Sequence, residues 1–496
     1  MKYLLFSIAV AGIPPGAVLL VLSRRLRRLA VIAMIAAVIC FDRGAINFFS
    51  LEAYRGTSRG MEISIIYLIA AAMLIARCVR RGAVPLCPGR GAVLYAAYFL
   101  ASLPSALNAE NHLILFFEAW KMLMMLIVFL ALFDYLEETR DFEAVMHAFA
   151  IVTVVNLAAV IREHFAGVYQ VRGVFPHQNS MAMYMMLTGN LFFARFFNRA
   201  EPLKSGAAFG LFLCAGAVIF RTYSRGAMLC FPFSVMVTAA VSALRGFRSR
   251  MLRLIPPLCA AALFGVLVFL PGIVGRFETA PASSGSMRRN FAVAALNMIA
   301  DHPWCGVGLN NWGIKINPPY EYSRHRDPRR GFTEEYKDGI VETIYLLVAA
   351  ECGVPCLVLL LLWFGYHLRL SLRLLGRLRG TPDFFWSAGL SGGLTGVYLQ
   401  SLLEWVLKQQ INFLELMIVF AVAGVLEKRC GARRILPRRG GGIVADGSAF
   451  MREWSSDMPV GRKPGRASGS VRRLLPCDFS TAGRGGAASG STHQPR

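Results

Sequence analysis

Leu113 to Asp134 reads LILFFEAWKMLMMLIVFLALFD, a run in which only Glu118, Lys121 and the closing Asp134 carry charge. At 1.5 Å per residue, a run of this length crosses the roughly 30 Å hydrocarbon layer of a bilayer as one helix. Its two internal charges lie three residues apart on one helical face, where an ion pair lowers the cost of burying either. Holding a lipid phosphate is the other use open to them.

Working outward, comparable apolar runs lie near 3–22, 29–42, 62–78, 92–107, 143–164, 180–198, 206–220, 226–244, 254–274, 339–366, 384–405 and 411–427. The chain has 496 residues, of which 56% are hydrophobic and 17% charged, with mean hydropathy +0.51. That composition excludes a soluble globular protein of this size. The expected fold is all-α: residues 1–430 as a polytopic bundle of about twelve or thirteen transmembrane helices. The first run, Tyr3 to Leu22, is followed by Arg24, Arg25, Arg27 and Arg28 and lacks a small-residue cleavage site. It reads as a retained anchor rather than a signal peptide.

The formal net charge of +24 is spread over short breaks between the apolar runs. This is the pattern of membrane topology, not of a nucleic-acid surface. With Arg24–Arg28 in the cytoplasm, alternation sends 77–90, 195–204, 245–253, 369–379 and the tail to the same side. It places 43–61, 108–112, 165–179, 221–225, 275–338 and 406–410 outside. From Gly431 the chain is rich in Gly, Arg, Ser and Pro, so 431–496 is read as a disordered basic cytoplasmic tail, drawn to membrane lipid. The eleven cysteines are scattered and form neither a disulfide framework nor a zinc pattern. The outward segments hold no carboxylate cluster with metal-ligand character.

The long polar interruption from Arg276 to Asp338 places function at one membrane face. Within it, Phe291, Ala295, Met298 and Ile299 share one helical face, which predicts an amphipathic helix lying on the membrane surface. That helix should stop before Pro303, with a tight turn at Cys305-Gly306-Val307-Gly308. Arg172, Arg221, Arg225, Arg288 and Arg289 fall at or near outer helix ends, where topology should deplete arginine. Guanidinium groups bind phosphate through paired, fixed donors, so the set points to an anionic ligand. Snorkelling to lipid headgroups is the alternative for any one of them. Glu404 and Lys408 read as markers of an outer helix end, and Glu52, Arg55, Arg59, His177, His302 and His325 as solvated side chains.

Three ordered motifs resemble a known family. Arg172-Gly173-Val174-Phe175-Pro176-His177-Gln178-Asn179 is similar to the R-G-x-F-x-x-x-N element of bacterial O-antigen ligases and related polysaccharide polymerases, and Ser224-Arg225-Gly226-Ala227 to their S-R-G-A element. Ala295 to Trp312, through Pro303, Gly306 and Gly308, is similar to their A-L-x-x-I-x-x-x-P-x-x-G-x-G-x-x-x-F/W block. The resemblance implies a GT-C-like fold in the bacterial inner membrane, with short helices in one large periplasmic loop. It also implies an activity, with no metal, nucleotide sugar or other cofactor: transfer of a glycan from an undecaprenyl-pyrophosphate carrier to an acceptor hydroxyl on the periplasmic face. The acceptor is a lipid A-core sugar in the ligases and another lipid-linked repeat in the polymerases.

A fourth element departs from the family. An H-N/S/Q pair, nine residues before a glycine, there supplies the histidine regarded as the base. Here Glu342-Thr343 and Gly353 keep the spacing without the imidazole. Arg172, Arg225 and Arg288, assisted by Arg221 and Arg289, are expected to bind the pyrophosphate. Glu342 is either the base or an ion-pair partner that positions Arg225 or Arg288, and His177, His302 or His325 standing in for the missing histidine is the alternative to reading those rings as solvated. Direct displacement with one base predicts inversion at the anomeric carbon. Two other classes stay open: a flippase of lipid-linked sugars, for which paired repeats are missing, and a non-catalytic lipid-glycan binder, which the loss of the histidine makes credible.

Overall fold

The computed structural model describes residues 2–40, 45–82, 89–197, 202–244, 282–317, 319–320, 322 and 339–435. The expected span at 254–274, His325, much of the 275–338 segment and the tail beyond 435 lie outside the described residues. The described chain is a helical membrane bundle. Seven of its helices are long and apolar enough to cross a bilayer: Tyr3–Leu22, His112–Thr139, Phe142–Phe165, Lys204–Arg221, Arg225–Ser242, Val354–Arg377 and Gln410–Gly431.

The first of these is broken into α1 (Lys2–Ala11) and α2 (Ile13–Leu22). The break falls where Pro14 and Pro15 supply no N–H donors, positions tolerated only in a first helical turn. Next come α3 (Arg24–Ala36), α4 (Ile65–Arg81), α5 (Arg90–Ser102), α6 (His112–Thr139), α7 (Phe142–Phe165), α8 (Gln178–Phe196), α9 (Pro202–Arg221) and α10 (Arg225–Ser242). After them lie α11 (Ala282–Asp301), α12 (Trp312–Lys315), α13 (Ile344–Cys352), α14 (Val354–Arg377), α15 (Phe384–Gln400) and α16 (Gln410–Ile435). The runs expected to span at 29–42, 62–78, 92–107, 180–198 and 384–405 correspond to α3, α4, α5, α8 and α15, which are shorter or more polar than a full apolar span.

One element departs from the all-helical reading. β1 (Ala45–Ser50) and β2 (Gly60–Ser64) form an antiparallel hairpin, with Ala45 opposite Ser64 and Asn47 opposite Glu62. Ile46, Phe48 and Phe49 favour a strand, and Phe48 packs edge-on to Phe6 at 4.6 Å. The segment is too short and polar to register in hydropathy.

The bundle core is built on α8, buried on every side from Ser180 to Arg195. Helix α15 approaches it along Gly389, where a Cβ would lie 2.8 Å from Leu191 Cα. This close packing on small residues replaces the hydrophobic drive that lipid removes. Asn190 also ties α8 to α10, donating to Ser234 at 2.8 Å and accepting from Thr238 at 2.6 Å.

The two ends of the bundle differ in chemistry. One end is tied by ion pairs: Arg27–Glu138 at 2.6 Å, Arg80–Glu138 at 2.5 Å, Arg195–Glu143 at 2.7 Å and Arg429–Asp383 at 3.0 Å. The opposite end gathers the hairpin, the turns before α6, α8, α10 and α13, and the loop around Asn310.

Candidate functional site

The opposite end carries the candidate side chains, and α11 sets their positions. Its apolar face, Phe291, Ala294, Ala295 and Met298, is buried against Val307, Trp312, Ile316, Val341 and Leu347. The sequence predicted this face but assigned it to the membrane surface. It packs on protein instead, because the following turn folds back beneath it. Trp312 meets Phe291 edge-on at 6.5 Å and donates its indole N–H to Gly339 O at 2.9 Å. That bond holds the segment leading to Glu342 alongside α11.

The turn after α11 is held by backbone pairing. Val307 N–H donates to Ala350 O at 2.9 Å, Gly308 N–H to Glu351 O at 3.0 Å, and Val354 N–H to Pro303 O at 2.8 Å. Gly308 sits at φ +115°, and a Cβ there would lie 2.7 Å from Ala109 Cα, so backbone conformation and space both require glycine. Asn310 Oδ1 accepts from Thr57 N–H at 2.9 Å, and its amide donates to Ser58 O at 2.8 Å and Ile114 O at 3.0 Å. Asn311 Oδ1 accepts from Asn111 N–H at 2.9 Å. These motif residues clamp the loop onto the bundle.

With that frame in place, Arg288 forms an ion pair with Glu342 and extends Nη2 to 3.6 Å from Glu404 Oε1. Arg225, the first residue of α10 after its cap Ser224, adds a second positive charge acting on both carboxylates. Burial raises the Glu342 carboxyl above the usual range, and the two arginines pull it back. Burial raises Glu404 to about 7, helped by the neighbouring Glu342 charge and opposed by Arg288, by a hydrogen bond from Asn179 and by Arg225. The result is a carboxyl poised to titrate near neutrality beside two guanidinium groups, an arrangement able to exchange a proton next to cationic donors.

Glu404 is a correction to the sequence reading: its side chain is only 7% exposed, not a marker at an interface. Lys408 is likewise buried. Its ammonium meets Glu351 at 2.5 Å and Glu118 at 3.7 Å. The ion pair expected between Glu118 and Lys121 is present at 2.7 Å, so four charges form one buried cluster. Asn179, which closes the first motif, is the other site residue that sequence reasoning left without a role.

The remaining arginines form a second group. Arg221 contacts Tyr223 Oη at 3.0 Å and His164 Nδ1 at 2.5 Å, and Tyr223 stacks on Tyr169 at 5.1 Å. Arg172 is exposed, with its backbone N–H on Glu163 Oε2 at 2.9 Å. Arg289 is exposed on α11 next to Arg288. Thus Arg225, Arg288 and Glu342 come together, while Arg172 and Arg221 lie around the end of α7. His177 is not a solvated ring: it caps α8 by accepting from Asn179 N–H at 3.2 Å, and burial lowers its pKa. Glu52, Arg55 and Arg59 are exposed. Among the described residues no group of His, Cys, Asp and Glu is arranged to hold a metal ion.

Residues 210–361 match the family model described as O-antigen ligase, a stretch that contains Arg221, Arg225, Arg288, Arg289 and Glu342. No curated protein matches the chain.

Proposed function

We propose that this member of the O-antigen ligase family moves a glycan from an undecaprenyl-pyrophosphate carrier to an acceptor hydroxyl, at the periplasmic face of the bacterial inner membrane. The acceptor is a lipid A-core sugar or a second lipid-linked repeat. The observation that carries the reading is Arg288, placed between Glu342 and Glu404 with Arg225 beside both carboxylates.

In this reading the acceptor oxygen attacks the anomeric carbon as the bond from that carbon to the diphosphate breaks. The bonding pair leaves on the diphosphate oxygen, and the hydroxyl proton passes to a carboxylate. Arg288 and Arg225 stabilise the charge that grows on the leaving group, so they act more on the transition state than on the ground state. Glu404 takes the proton. Glu342 fills the ion-pair role left open for it, holding Arg288 in place. Arg172, Arg221 and Arg289 assist at the rim. Direct displacement inverts the anomeric centre.

The test is turnover by the purified chain in lipid, supplied with an undecaprenyl-pyrophosphate glycan and an acceptor. The reading requires a transferred, inverted product whose rate of formation falls by roughly 10²–10³ in Arg288→Ala. Binding without turnover would make the chain a passive lipid-glycan binder, and translocation without transfer would make it a flippase.

A further inference from the structure

A cavity of about 440 Å³ opens beside the cluster, between the β1–β2 hairpin, α6 and the turn before α16. Its size falls in the roughly 300–1,000 Å³ range of small-molecule sites. Trp120, Trp405, Asn47, Glu62, Gln409 and Gln410 are among its walls. Trp405 directly follows Glu404, which puts this wall of the cavity one residue along the chain from the proton acceptor of the proposed reaction.

The wall chemistry identifies the ligand class. A pyranose has an apolar C–H face that packs on an indole and a rim of hydroxyls that bond to amides and carboxylates. Both partner types are present. Trp120 is fixed by its N–H bond to Glu62 O at 3.0 Å, which leaves its ring carbons as the contact surface. Gln409, a wall residue, has a side-chain Oε1 that is buried without a hydrogen-bond partner, acceptor capacity that a small side-chain rotation would bring to the cavity. The charges do not favour an anion: Lys121 is neutralised by Glu118 at 2.7 Å, and Arg59 shares the wall with Glu62. The amide-rich lining does not suit a hydrocarbon tail.

We propose that this cavity seats the sugar rings of the acceptor glycan and delivers one hydroxyl to Glu404; the inference rests on the transfer reading above. The diphosphate of the donor is held on the Arg288 side of Glu404, which leaves the Trp405 side to the acceptor.

The experiment uses the full chain in lipid nanodiscs with two readouts. The first is the acceptor KM at saturating donor. The second is quenching of tryptophan fluorescence by the lipid-free oligosaccharide released from the acceptor glycolipid. Gln409→Ala and Trp120→Ala are expected to raise the acceptor KM tenfold or more with the donor KM unchanged, and Trp405→Ala to remove the saturable quench. An unchanged donor KM also shows that the variants are folded. An unchanged acceptor KM, or a rise confined to the donor KM, overturns the proposal. The two readings fail separately. Saturable, Trp405-dependent quenching in a chain without turnover supports the saccharide site and sinks the transfer reading, whereas turnover with a wild-type acceptor KM in all three variants sinks the site alone.

Discussion

Glu404 Oε1 lies 3.6 Å from Arg288 Nη2, joining the turn before α16 to α11. One guanidinium therefore spans two carboxylates, because the same side chain pairs with Glu342. With its pKa raised to about 7, Glu404 changes charge in the physiological range, and only the ionised form accepts a proton. Transfer should rise with pH through about 7 and level off above it. Glu404→Gln should cost roughly 10²–10⁴ in kcat, the usual contribution of a positioned base, and abolish that rise. Glu342→Gln should cost less and keep the rise. A pH profile of the three proteins at saturating substrates decides between the carboxylates.

The same shift has a sign for stability. A carboxyl whose pKa is raised in the folded state binds its proton more tightly there than in the unfolded chain. Its contribution is intact below the ordinary carboxylate range, falls as pH rises from there, and is fully lost above about 7. Glu404→Gln, which cannot ionise, should melt at a higher temperature than wild type at pH 8. The gap should close as pH approaches 4. Thermal denaturation in detergent across that range measures it, and a gap independent of pH would contradict the burial argument.

Arg288→Ala should reduce kcat by roughly 10²–10³, the scale set by removing one preorganised donor from a developing anion. Arg288→Lys should recover only part, because a single ammonium lacks the paired planar donors. Arg221→Ala, whose guanidinium is committed to Tyr223 and His164, should act mainly on the donor KM. Steady-state kinetics of the three variants separates the cluster from the rim.

Asn310 should be among the most costly loop positions to change. Its side chain bonds to both backbone groups of Ser58, to Thr57 N–H and to Ile114 O. Asn310→Ala leaves these partners buried and unmatched, each costing about 1–3 kcal/mol. A lowered melting temperature, with loss of protease protection at the hairpin, is the expected outcome.

The membrane class and most helices were legible because apolar runs of bilayer length are an unambiguous signal. The hairpin at 45–64 was not, since a short, half-polar pair of strands leaves no trace in a window tuned to helices. At the site, Arg225, Arg288 and Glu342 were found through motif spacing and a local excess of charge. Glu404 escaped because its meaning depends on burial and on the groups brought to it, Asn179, Arg225, Arg288 and Glu342, all distant in sequence. The face of α11 was read correctly, but periodicity does not tell lipid from protein as the packing partner.

The buried cluster of Glu118, Lys121, Glu351 and Lys408 carries balanced charge, two carboxylates against two ammonium groups, with contacts at 2.5, 2.7 and 3.7 Å. Glu118 also accepts from Ser58 Oγ at 2.5 Å and Thr57 Oγ1 at 2.8 Å, so the cluster secures the hairpin as well as α13. Lys408→Met removes one positive charge and leaves Glu351 buried without its partner, a change that costs about 3–5 kcal/mol. Adding Glu351→Gln restores neutrality and should recover most of the lost melting temperature. A double variant no more stable than the single one would mean that Lys408 acts through packing alone. Recovery of stability without recovery of transfer would show instead that the cluster also sets the height of Glu404, four residues before Lys408 on the same turn.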